Sequence, residues 1–419
     1  MRKMKDSGIK WLGAIPQQWD IVKFKALFKP KSIPNSGDRE LLSVYLDRGV
    51  IRYSDSSNMQ VHKPSESLDK YQNVDIGDFV LNNQQAWRGS VGVSKYRGII
   101  SPAYLIYEMS DECFPQYMNY ALRDCYMVQQ YEYCSRGVGT IQRNVSPQWL
   151  KQALVLLPPL EEQKRIAEHL DGECSQIDGL IVDIQAQIDT LEQFKRTTII
   201  DSVLRGLTQA SQQKESGIDW VGKIPCHWNS HPIYYYFAQR WHKNSLGEEN
   251  NLLSLSYGRI IRKDINATDG LLPESFNTYN IIEKDDIVLR LTDLQNDKKS
   301  LRVGIAKERG IITSAYVTLK AVKEINVVYF YYLIHAYDLM KVLYNMGGGV
   351  RQGLNYDELS KLMLIEPPID EQDTIAAYLD EKCAEIDGCI AAKKEQISTL
   401  EAYKKSVIFE YVTGKKEVE

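Results

Sequence analysis

The chain has 419 residues, 43% hydrophobic and 25% charged, which is ordinary for a globular protein and long enough for two or more domains with cores of their own. No apolar run approaches the ~18 residues of a membrane span, and Met1-Arg-Lys-Met-Lys leads into polar residues without an apolar signal core, so a membrane or secreted protein is not expected and a cytoplasmic one is. Net charge is −4, and the seven cysteines stand singly without a CxxC pair, which points to reduced thiols and away from disulfides, zinc or any other metal site.

The chain begins with Asp6-Ser-Gly-Ile-Lys-Trp11-Leu-Gly13-Ala-Ile-Pro16-Gln-Gln-Trp19. Residues 20–157 then hold short β-type runs at 41–45, 78–81, 90–93 and 103–107, with Gly, Asn and Asp turns between them and a helical stretch at 115–125. After a strand-like run at 153–157 come Pro158-Pro159 and an acidic start, Glu161-Glu162, where the helix dipole favours negative charge. The apolar positions Leu170, Cys174, Ile177, Ile181, Ile184, Ile188 and Leu191 step by four and three, which is the a/d pattern of a coiled coil. Gly206 stands where such a helix would stop.

The chain then repeats itself. Glu215-Ser-Gly-Ile-Asp-Trp220-Val-Gly222-Lys-Ile-Pro225-Cys-His-Trp228 copies the opening motif, with Trp220 lying 209 positions after Trp11. The β-type runs recur at 252–255, 286–290, 302–306 and 315–319, the helical stretch at 327–340, and the prolines at Pro367-Pro368. Gln372 again lies 209 positions after Gln163. Leu379, Cys383, Ile386, Ile390, Lys393, Ile397 and Leu400 keep the heptad register, broken only at Lys393, and Gly414 ends it. Net charge runs +4 over 1–150, −4 over 151–210, +1 over 211–359 and −5 over 360–419, so the two kinds of segment alternate.

Each helix would span roughly 60–67 Å at 1.5 Å per residue. A heptad stripe that long needs a partner, and the economical one is the other copy, in an antiparallel pair across a pseudo-twofold axis. The expected fold is therefore two α/β (α+β) domains with long antiparallel coiled-coil helices. The domain limits are 1–157, 158–207, 208–366 and 367–419. The helices are alike in both halves while the globular segments have diverged, so the helices should hold two copies of one partner and each globular domain should read a different target.

Two pairs of loops suit that reading. Asn82, Asn83, Gln84, Gln85 and Arg88 follow a predicted strand, and Arg290, Thr292, Gln295, Asn296 and Lys298 follow its counterpart. Both are rich in amides and bases, the groups that read adenine and guanine edges, and they differ in sequence. Arg136, Thr140, Gln142 and Arg143 in the first half, and Arg351, Gln352 and Asn355 in the second, lie in glycine-containing loops suited to close approach to phosphate. The aromatic run 234–236 reads as a strand in a core, and Trp11, Trp19, Trp220 and Trp228 read as packing anchors.

Catalytic signatures are missing from the sequence. Neither Pro-Pro pair sits in an Asn/Asp-Pro-Pro-aromatic motif. The stretch from Gly217 to Lys223 resembles a phosphate-binding loop but ends on Ile224 where Ser or Thr is needed. No nuclease carboxylate cluster is evident. No catalytic residue, metal or cofactor is assigned.

Taken together, SGIxWxGxIPxxW before each globular domain and PPxxEQxxIAxxLD opening each helix resemble the specificity (S) subunit of type I restriction–modification systems, over almost the whole chain. The resemblance implies two target recognition domains, each reading half of a split site in double-stranded DNA. It implies helices that dock two methyltransferase (M) subunits, and ATP-dependent nuclease-translocase (R) subunits that complete the complex. It also implies that the chain itself is not an enzyme, the methyl donor and ATP being used by its partners. The competing readings are a coiled-coil scaffold that reads no sequence and the specificity subunit of a type II-like enzyme. If the helices set the gap between half-sites, deleting about one heptad symmetrically from both should shorten the recognised gap, and an unchanged gap in methylation mapping would count against that role.

Overall fold

The computed structural model describes the chain except residues 1, 10–11, 36, 38, 57–63, 66, 139–141, 209–211, 267–272, 274, 293, 295–300, 347–352 and 419, and describes the backbone alone at 138, 142 and 345. It divides into two units. The first comprises residues 1–184 and 394–419, and the second comprises 185–393.

In the first unit, a four-stranded antiparallel sheet runs in the order Phe28–Lys31, Tyr104–Met109, Phe79–Asn82, Val91–Val93. Register is fixed by pairs such as Tyr107 opposite Phe79 and Phe79 opposite Val93. One face of this sheet buries an aromatic cluster in which Phe24 stacks on Phe28 at 4.3 Å and meets Tyr107 edge-on at 5.1 Å. The helical stretch expected at 115–125 is two helices, Pro115–Ala121 and Cys125–Tyr133. The break follows from Asp124, whose carboxylate accepts from the amide of Tyr126 and so starts a new helix.

The second unit repeats the plan with Phe237–Gln239, Val317–Ala321, Ile287–Leu289 and Val303–Ile305 in one sheet, and Val327–Leu339 as one helix. The expected strand at 234–236 is instead a helical turn, Ile233–Tyr236. The amides of Ile233 and Tyr234 are drawn onto the carbonyls of Leu362 and Ser360, and only Tyr236 of the three tyrosines is buried.

Both long helices are present, Leu160–Arg205 with 46 residues and Ile369–Val412 with 44. No a/d position named above is exposed in either helix. Within the first unit their ends run antiparallel, with Tyr411 against His169 and Lys404 bonded to Asp178 at 2.6 Å. Within the second, Lys195 bonds Asp387 at 2.7 Å, at the equivalent repeat positions. Lys393, the break in the heptad, donates to Gln187 at 2.5 Å. Among the described residues no helix is long and apolar enough to cross a membrane.

The repeated motifs are structural joints. Gln163 is fully buried, accepts from the amide of Phe114 at 2.7 Å, and donates to the carbonyls of Glu112 and Pro158. Gln372 accepts from the Asn326 amide at 3.0 Å and donates to Pro367. Asp171 and Asp380 accept from the hydroxyls of Tyr120 and Tyr332. Trp19 and Trp228 are fully buried anchors, as expected, whereas Trp220 is 36% exposed while still meeting Tyr337 edge-on; Trp11 lies outside the described residues. Gly206 and Gly414 end the helices with φ of 77° and 68°, and a Cβ on Gly414 would overlap Pro16.

Two outcomes follow. Gln163→Leu should strand a buried amide and two carbonyls and cost about 3 kcal/mol, read as a lower urea midpoint, while Glu161→Ala on the exposed first turn should shift it by less than ~0.5 kcal/mol. His335 is buried in the helix of the second unit, and burial, aided by Lys195, pushes its pKa down to about 4 from 6.5. Because the folded value lies below the unfolded one, its neutral form contributes fully above about pH 6.5, and that contribution is lost as pH falls towards 4. The wild type should therefore lose on the order of 3 kcal/mol more than His335→Leu between those limits in pH-dependent denaturation.

Candidate nucleic-acid interface

The loop after Phe79–Asn82 is a tight, internally bonded turn. Asn82 accepts from the Gln84 amide at 3.1 Å, and Ala86–Arg88 forms a single 3-10 turn closed by Gly89 at φ 100°. Ala86 is fully buried, while Gln84 and Arg88 are exposed. The indole N–H of Trp87 donates to the Gln84 carbonyl at 3.0 Å, which fixes the ring to the loop. Gln85 is half-buried, and the side-chain oxygen of Asn83 is buried without a hydrogen-bond partner among the described residues.

The second predicted loop of this unit is a hairpin, Ser135–Val138 paired with Gln142–Val145. The Val145 amide donates to the Asn83 carbonyl at 3.1 Å, so the structure brings the two predicted loops side by side. Arg143 lies over the Trp87 ring at 5.0 Å and bonds Glu132 at 2.9 Å, and Arg88 lies over the same ring at 4.6 Å. Arg136 lies over Trp149 at 3.8 Å. Three guanidinium groups and two indoles thus occupy one patch of the first unit. Thr140 lies outside the described residues, as does the side chain of Gln142.

In the second unit the same junction recurs, since the Leu354 amide donates to the Leu291 carbonyl at 3.0 Å. Arg290 and Thr292 are exposed on this loop. Their carbonyls are held from inside by Arg302, which is 6% exposed and donates to Arg290 at 3.1 Å and to Thr292 at 2.6 Å. Arg302 in turn has its amide on the buried Asp338 at 3.1 Å. Asn355 serves as a helix cap in a reciprocal pair with Glu358, which commits its side-chain oxygen to the fold. Gln295, Asn296, Lys298, Arg351 and Gln352 lie outside the described residues.

Sequence reasoning passed over Arg302, Trp149 and the role of Trp87. A signal for Arg302 existed: it takes the place of Ser90 ahead of an apolar strand, where a charge has to be paired inward. Trp149 carried no pattern of its own, because its partner Arg136 is 13 positions away.

The type I restriction modification DNA specificity domain, Methylase_S, matches residues 261–402. The putative type I restriction enzyme MjaX specificity subunit of Methanocaldococcus jannaschii is 25% identical, covering 96% of this chain and 95% of that protein. The MjaVIII specificity subunit of the same organism is also 25% identical, covering 96% and 93%. A solved chain from work on complex assembly and conformational transition of the type I R-M system aligns with a TM-score of 0.70 at 15% identity, over 96% of this chain and 99% of that one. The HsdS subunit of Thermoanaerobacter tengcongensis aligns at 0.51 and 14% identity, over 96% and 98%. At these identities the solved structures speak for the fold, and they bear out the expected pair of α/β domains with long helices.

Proposed function

We propose, from the premise that this chain belongs to the family of type I restriction–modification specificity subunits, that it reads an asymmetric bipartite site in double-stranded DNA and catalyses no reaction itself. Residues 1–157 and 208–366 act as the two target recognition domains, and 158–207 and 367–419 as the helical spacers that dock two methyltransferase subunits. ATP-dependent nuclease-translocase subunits complete the restriction complex, and methyl donor and ATP are used by those partners.

The observation that carries this reading is one framework bearing two different loops. The joints made by Gln163 and Gln372, and the Lys195–Asp387 and Lys404–Asp178 pairs, are equivalent in the two units. The loops at Asn82–Arg88 and Arg290–Thr292 stand at the same place on that framework but present different side chains. A common frame suits two copies of one partner, and different amide- and arginine-bearing loops suit two different half-sites.

Arg290→Ala should abolish discrimination in one half-site while leaving methyltransferase binding intact. Methylation mapping together with co-purification of the partner checks both. A variant that keeps the full motif would remove Arg290 from the reading, and a wild-type chain that binds the methyltransferase but selects no sequence would support a scaffold instead.

A further inference from the structure

We propose that Trp87 is a positioning residue that presents Arg88 as a base-reading fork, so that the half-site read by the first unit contains a guanine. This rests on the DNA-reading function proposed above and adds the residue pair and the base. The indole is itself fixed, through its N–H on the Gln84 carbonyl at 3.0 Å and through the neighbouring Ala86, which is fully buried. Arg88 lies over that ring at 4.6 Å and is exposed. Stacking leaves the N–H edge of a guanidinium open while restricting its rotamers, which is the arrangement that suits a bidentate bond to guanine O6 and N7.

The other cations of the patch are placed differently. Arg143, over the same indole at 5.0 Å, is half-buried and bonded to Glu132, so its charge is already partnered. Among the described residues Arg88 makes no ion pair with a carboxylate. Arg136, exposed over Trp149 at 3.8 Å, lies on the glycine-containing hairpin, the kind of loop that occurs in both halves of the sequence and so suits a phosphate contact more than a choice of base. In the second unit the buried Arg302 holds the carbonyls of Arg290 and Thr292, so that the matching loop presents the exposed Arg290 side chain from a fixed backbone. The first loop thus carries its outward arginine on an indole, and the second carries its outward arginine on a backbone held by a buried guanidinium.

The test is selection from a pool of duplexes of randomised sequence by the full chain assembled with its methyltransferase subunits. Wild type should enrich a bipartite motif with guanine in one half-site. Arg88→Ala and Trp87→Ala should lose that guanine, with the preference for it over other bases falling about tenfold or more, while Trp87→Phe keeps most of it. Replacing the guanine by 7-deazaguanine, which removes N7, should weaken wild type and leave Arg88→Ala unaffected. The second half-site, retained in every variant, reports that the chain is folded. A wild-type motif without guanine in either half-site, or a guanine unchanged in Arg88→Ala, overturns the proposal while leaving DNA reading intact. A pool with no enrichment overturns both.

Discussion

A helix with an apolar stripe running through three heptads cannot stay in water alone, and the whole chain is arranged around covering two of them. The cover comes from the far end of the other helix. In the first unit Val407, Tyr411 and Val412 join a core that also holds Ile166, Leu170 and the sheet aromatics. In the second, Ile199, Val203 and Leu204 join Leu379, Cys383 and the sheet of that unit. The first unit is therefore not a continuous stretch of sequence, its fold being completed by residues 394–419 from the far end of the chain, whereas the second, 185–393, is continuous and takes the end of the first long helix that leads directly into it. The Lys–Asp pairs fix register within each unit, and because they are partly exposed their contribution is one of alignment more than stability.

That constraint explains which residues had to stay alike after duplication. Gln163 bonds three backbone groups and Gln372 two, and the tyrosine–aspartate pairs tie the small helices to the long ones. A buried amide or carbonyl left without its partner costs more than the bond contributes, so these positions tolerate little change. The solvent-facing loop side chains, such as Gln84 and Arg88 or Arg290 and Thr292, carry no such burden, and they are free to differ while backbone bonds such as Val145 to Asn83 and Leu354 to Leu291 keep each pair of loops together.

Much of this was legible in the sequence because it is periodic or repeated. The heptads gave both helices to within a few residues, and strands such as Phe79–Asn82 and Ile287–Leu289 followed from short apolar runs next to turns. What escaped was set by contacts between distant residues. The run at 234–236 has the composition of a strand, yet carbonyls of Ser360 and Leu362 pull it into a helical turn. Arg302 looked like the edge of a strand, and only the fold shows its guanidinium turned inward to hold Arg290 and Thr292. Likewise the pairing of Arg136 with Trp149 needed the hairpin to exist before the two could meet.

If a shared frame carries two independent readers, specificity should move with the divergent segments alone. The most direct measurement replaces residues 20–157 by a second copy of 229–366 in the full chain and maps the methylation that the assembled complex deposits. A palindromic motif, with the second unit's half-site on both sides, is expected. An asymmetric motif from that chain would contradict the division into common frame and separate readers.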